Sequence, residues 1–125
     1  MFGLDVTLKS SLTTKDIDDI YQQNTKVSKF FYDSIQTCLV FYDLYGYKNM
    51  MCLHDVCPVL YLEYPEFFEG TQAGVYVETQ GQLTFGKTVS DIKSDFKFEK
   101  RDTLVILEVD QPKFAAKIKE LLMSY

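Results

Sequence analysis

The apolar residues of this chain keep two different periods, and the change between them constrains the fold more than any other feature. From Lys26 onward, Val27, Phe30, Phe31, Ile35, Cys38, Phe41, Tyr42 and Tyr45 recur at helical spacing, and Gly46 follows as a stop. This is one helix face closed by a residue free to turn left-handed. From Gly74 the rule changes. Gly74-Val75-Tyr76-Val77-Glu78-Thr79 alternates as a strand does, and Thr103 to Val109 is β-branched and apolar. A chain with both periods is mixed α/β.

The remaining elements follow from local signals. Met1 to Thr7 reads as a short opening strand that needs neighbours on both edges. Thr13 is a helix N-cap, with Asp16 completing a capping box and Leu12 and Ile17 forming a staple. That helix is expected to reach about Gln23, with Ile17, Ile20 and Tyr21 facing inward. After a loop through Asn49, His54 to Tyr64 is apolar nearly all round and is expected to be a buried helix. Asp55 can cap it, Pro58 falls in its first turn, and Pro65 ends it. Gln80-Gly81 marks a turn, and Gln82 to Val89 is expected to return as the second arm of a hairpin. Because the sheet edge is open, this hairpin is expected to project or swap. Asp110 and Pro112 open a last helix carrying Phe114, Ile118, Leu121 and Leu122 on one face. The expectation is one domain over residues 1–125, with three or four helices around a small mixed sheet.

Charge and composition narrow the function. A chain of 125 residues forms one core. Its net charge of -5 argues against nucleic acid, since phosphate binding needs clustered Lys and Arg. The basic residues between Lys93 and Arg101 alternate with Asp95 and Glu99 and read as a solvated segment. No apolar stretch approaches the roughly 20 residues of a membrane span, and no basic-then-apolar leader is present. Cys38, Cys52 and Cys57 are odd in number and lack paired spacing, which points to a reducing cytoplasm. Ten Phe and nine Tyr imply an aromatic core or rings that face a partner.

The chemistry centres on the single histidine, in Leu53-His54-Asp55-Val56-Cys57-Pro58. Three readings stand. In the first, Asp55 caps the helix and His54 packs at its mouth. In the second, His54 is a general acid, an imidazole able to donate a proton near neutral pH, and Asp55 is a hard oxygen ligand of the kind calcium prefers. In the third, Cys52, His54 and Cys57, with Cys38, hold zinc, although C-x-H-x-x-C is not a usual zinc spacing. Tyr42, Tyr45 and Tyr47 are either core or pocket lining, where a ring can stack on a base. Gly70 and Gly74 lack the helix start of a phosphate loop, and Gly81 and Gly86 read as turn glycines.

Three segments together resemble the inosine–uridine-preferring nucleoside hydrolases. Gly3-Leu4-Asp5-Val6-Thr7 is similar to the family's G-L-D-x-T string. Phe41-Tyr42 followed by Leu53-His54-Asp55 resembles its aromatic helix and H-D motif, with Val56 where the family often has Pro or Ala. Val77 to Val89 is similar to its V-E-T-x-G-x-L-T-x-G-x-T-V string. The resemblance implies an α/β fold with a mainly parallel sheet and hydrolysis of the N-glycosidic bond of ribonucleosides to base and ribose. It implies that His54 protonates the leaving base, that Asp55 ligates calcium, and that Tyr42 contacts the nucleoside. Family members hold calcium largely on a D-x-D-P-G-x-D-D loop that precedes these segments and is absent from this sequence. The expectation is therefore the C-terminal part of a calcium-dependent hydrolase, binding no calcium and inactive when alone. The alternative is a non-catalytic module that forms homo-oligomers through an exposed apolar face.

Overall fold

Two capping boxes organise the helical half. In the computed structural model, which describes residues 1–125, the Asp16 amide donates to Thr13 Oγ1 (3.1 Å) and the Thr13 amide donates back to Asp16 (3.0 Å). Thr25 and Ser28 repeat the device at 3.1 and 3.0 Å. Each box satisfies amides that a helix start would leave unpaired. The elements in order are α1 (Leu4–Thr7), β1 (Ser11–Thr13), α2 (Thr14–Tyr21), α3 (Lys26–Leu44), β2 (Met50–Cys52), α4 (Val56–Glu63), a 3-10 turn (Pro65–Phe67), β3 (Phe68–Val77), β4 (Thr88–Asp91), β5 (Thr103–Val109) and α5 (Gln111–Met123).

The fold is mixed α/β, with five α-helices and two small antiparallel sheets rather than one mixed sheet. β1 pairs β2, and β3 lies between β4 and β5. The parallel component is a single bridge between Phe2 and Ile106 on the outer edge of β5. Val6, Leu12, Ile17, Ile20 and Phe114 are fully buried, so the core gathers α1, β1, α2 and α5. Lys119 ties α5 to α2 through Asp16 and Asp19, both at 2.9 Å.

Several expectations are corrected. The opening strand is instead a bridge followed by a helical turn. The amides of Val6 and Thr7 both donate to the Gly3 carbonyl at 3.1 Å, which closes a helical turn and leaves neither amide for a strand partner. Tyr21 is exposed and packs on Tyr32 with ring centroids 4.3 Å apart. Helix α4 is not buried all round, because Val59 and Leu62 are 65% and 79% exposed. Asp55 stands at its N-cap but makes no side-chain cap bond, since its backbone is already helical (φ -74, ψ -15) and a cap needs extended backbone.

Strand β3 begins six residues earlier than the alternation at Gly74 suggests, at Phe68. Gly70 and Gly74 lie inside it because neighbouring backbone comes close: a Cβ there would sit 2.6 Å from the Val105 carbonyl and 2.5 Å from that of Lys100. Both hairpin arms pack in the chain's own sheet, so the expected swap is not seen. The second arm shrinks to β4, because residues 80–86 form a longer turn. Glu78 holds that turn, accepting from the Gln80 and Gly81 amides at 2.7 and 3.0 Å, and Gly86 takes φ +80. The Lys93–Arg101 segment is mostly exposed but anchored. Arg101 donates to the carbonyls of Asp91, Gln72 and Ile92, and buried Asp91 accepts from the Phe96 and Phe98 amides. No helix is long and apolar enough to cross a membrane.

Candidate active site

Three elements converge on His54. Helix α3 brings Tyr42 from one side, and the last residue of α1 brings Thr7 from the other. The turn between β2 and α4 carries His54 and Asp55, and two bonds fix it: the Leu53 amide to the Ser10 carbonyl (2.8 Å) and Cys52 Sγ to the Leu8 carbonyl (3.4 Å). His54 Nε2 lies 2.6 Å from Tyr42 Oη, and Nδ1 lies 2.7 Å from Thr7 Oγ1. Both ring nitrogens therefore meet hydroxyls, which can donate or accept as the ring requires. The two rings are nearly parallel, at 21°. Burial, with Cys52 alongside, pushes the Tyr42 pKa up to about 12. Tyr42 thus stays a neutral phenol across the physiological range.

A cavity of about 630 Å³ opens over this pair, walled by Cys38, Phe41 and Tyr42 of α3 and by Met51 and Cys52 of β2. His54, Asp55 and Val56 line its other side. The volume falls in the range of small-molecule sites, and an apolar wall with a few convergent polar groups is their usual composition. A second cavity of about 270 Å³ reaches Tyr42 and His54 from the side of Leu4, Tyr45 and Tyr47. Asp55 is exposed beside the histidine, and its side chain makes no capping bond.

The profile of the inosine–uridine preferring nucleoside hydrolases matches residues 1–116. This chain belongs to that family. It is similar to the pyrimidine-specific ribonucleoside hydrolases RihA of Photobacterium profundum and Klebsiella pneumoniae, with 29% and 30% identity over 127 aligned positions. The alignments cover all of this chain and 40% of each relative, so the chain spans well under half the length of the curated relatives it matches. It superimposes on a purine-preferring ribonucleoside hydrolase from Gardnerella vaginalis with a TM-score of 0.85 and 26% identity, over 99% of this chain and 39% of that one. A plant nucleoside hydrolase shares the fold at a TM-score of 0.87 and 19% identity, over 98% of this chain and 40% of its own.

The structure of this nucleoside hydrolase chain brings His54, Asp55 and Tyr42 together, as their spacing alone could not. The capping reading of Asp55 fails, and so does zinc. Cys52 and Cys57 donate to backbone carbonyls at 3.4 Å, burial pushes both thiols up, and no group of three or more His, Cys, Asp or Glu side chains could hold a metal. Calcium takes about six to eight oxygens. Asp55 fits as one such ligand by its exposure and hard oxygen chemistry, but the chain's own groups do not complete the set. Sequence reasoning missed Thr7. The signal was its place at the end of Gly-Leu-Asp-Val-Thr, hidden by the strand assigned to that segment.

Proposed function

We propose that residues 1–125 form the acid and base-binding corner of a ribonucleoside hydrolase that cleaves the N-glycosidic bond to give base and ribose. The observation that carries this reading is His54 held against Tyr42 at 2.6 Å beside a cavity of about 630 Å³. The nucleobase lies in the cavity along the Tyr42 and Phe41 rings. As the bond from the sugar to the base nitrogen breaks, its electron pair passes to the base, and a proton from His54 neutralises the charge that develops there. Water adds to the sugar carbon and releases one proton to solvent, and His54 takes one up from solvent, which balances the hydrolysis. General acid catalysis of this kind contributes roughly 10²–10⁴ in rate. Bound calcium would orient the ribose diol and polarise the attacking water. Asp55 would supply one of its oxygens, and the remaining ligands would have to come from groups outside these residues. The three free thiols suit a reducing cytoplasm.

The test is ribose release from inosine and uridine, with and without calcium, by residues 1–125 alone and together with a chain supplying the aspartate-rich loop. No turnover is expected alone. The mixture is expected to need calcium and to lose roughly 10²-fold or more with His54→Ala. Turnover in the mixture that is indifferent to His54→Ala would refute the acid assignment. Turnover by residues 1–125 alone would refute the incompleteness of the site.

A second reading rests on exposed apolar side chains: Phe30, Val40 and Leu44 on α3, Tyr45 at its C-cap, and Val59 and Leu62 on α4. Such surface favours association between copies. A defined oligomer in sedimentation, without affinity for calcium or ribose, would favour an assembly module over an enzyme.

A further inference from the structure

Thr7 is 5% exposed, and its hydroxyl meets one partner, His54 Nδ1, at 2.7 Å. The neighbouring hydroxyls of Ser10 and Ser11 turn away to the carbonyls of Val6 and Lys9. A neutral imidazole carries one N–H and one acceptor nitrogen, so of its two flanking hydroxyls one donates and the other accepts. Tyr42 is a phenol and Thr7 an aliphatic alcohol. The phenol is the more acidic and the poorer acceptor, so Tyr42 Oη–H donates to Nε2 and Thr7 Oγ1 accepts from Nδ1–H. Thr7's own proton then faces the cavity of about 540 Å³ that it lines with Leu4 and Asp55, where water can accept it.

We infer that Thr7 is a positioning residue that holds His54 in the Nδ1–H tautomer and so leaves Nε2, on the Tyr42 side, as the acceptor nitrogen of the neutral ring. Asp55, the acidic group on the same turn, is exposed and does not replace Thr7 at Nδ1. The catalytic meaning of this role rests on His54 acting as the acid; the tautomer itself does not.

The chain contains one histidine, so a single imidazole appears in a nitrogen-15 correlation spectrum. The wild-type chain with its ring neutral is expected to show Nδ1–H, protected from exchange and close to the Thr7 methyl group. This is the reverse of the tautomer that a free imidazole prefers. Thr7→Val keeps the shape but removes the acceptor, and is expected to move the ratio roughly five- to tenfold toward Nε2–H, the change that one hydrogen bond gives. Thr7→Ser restores the hydroxyl and is expected to restore the wild-type ratio. A wild-type ring in the Nε2–H form would overturn the proposal, as would a Thr7→Val ring that keeps the wild-type ratio. If Thr7→Val does not fold, the wild-type tautomer and its contact with Thr7 decide alone. Neither spectrum needs turnover, so a failed tautomer leaves the acid role of His54 to the ribose assay, and a failed assay leaves the tautomer standing.

Discussion

The bond between Tyr42 and His54 can be weighed without any substrate, by a double-mutant cycle on folding stability. Tyr42→Phe keeps the ring and its edge-on contacts with Phe41 and Tyr47 and removes one hydroxyl. A hydrogen bond between neutral groups contributes about 1 kcal/mol, and an unpaired buried partner costs about 1–3. Both groups are only half-buried, and His54 borders open cavities, so water partly replaces the lost partner. The expected cost of Tyr42→Phe is therefore about 1 kcal/mol. His54→Ala breaks the bonds to both Tyr42 and Thr7, the second on a residue that is 5% exposed. A cost of about 2–3 kcal/mol follows. If the two groups share the bond, the double variant loses about 1 kcal/mol less than the sum of the single losses. Urea unfolding followed by far-ultraviolet circular dichroism resolves this, provided the slope is unchanged between variants. In thermal unfolding, each kcal/mol corresponds to a shift of about 4 °C for a chain of this size. A coupling below about 0.3 kcal/mol, the level at which independent sites add, would show that the hydroxyl and the imidazole are not bonded in solution. The donor role assigned to Tyr42 would fall with it.

Two further outcomes follow from the fold. Burial pushes the Asp16 carboxyl up, but hydrogen bonds from Thr13 and Lys119 outweigh it and hold the group below the ordinary carboxylate range. A depressed folded value stabilises above the unfolded pKa, near 3.9, and that stability is lost as pH falls through the folded value. The stability gap between wild type and Asp16→Asn is expected to be full at pH 7 and to shrink below about pH 4; a gap that does not narrow in acid would contradict the assignment. Gly74→Ala places a Cβ 2.5 Å from the Lys100 carbonyl and 2.7 Å from Phe98 Cβ, so the segment before Arg101 must shift. Faster amide exchange at Phe96 and Phe98 is expected, and unchanged protection there would show that the close approach is absent.

What the sequence discloses depends on how far each signal reaches along the chain. Thr13 with Asp16, the stop at Gly46 and the run from Thr103 to Val109 are local, and each appears in the fold as read. Strands β1 and β2 are three residues each, too short to carry a period, and their register joins Ser11 to Cys52. At the opening, Leu4 and Val6 alternate like a strand, but the Gly3 carbonyl captures two amides and closes a helical turn. In α4 the sequence records apolarity and not the partner, so a segment read as buried has Val59 and Leu62 in solvent. The site divides the same way. His54 and Asp55 are neighbours and were visible as a pair. Tyr42 is twelve residues from His54 and Thr7 forty-seven, and those meetings exist only once α1, α3 and the β2–α4 turn are packed.

The two functional readings make different demands on one surface, and the geometry separates them. Phe41 on α3 and Tyr45 at its C-cap are exposed, and each also lines a cavity beside Tyr42. A second copy seated on those residues would cover both cavities beside Tyr42, so association through α3 and nucleoside binding in those cavities exclude one another. Val59 and Leu62 of α4 line neither of those two cavities, although they are among the most exposed apolar residues. Association through α4 would therefore cover apolar surface while leaving the histidine reachable. The face that copies use thus bears directly on function. An oligomer that blocks labelling near Tyr45 belongs to a module without chemistry, whereas one that protects Leu62 is compatible with a hydrolase.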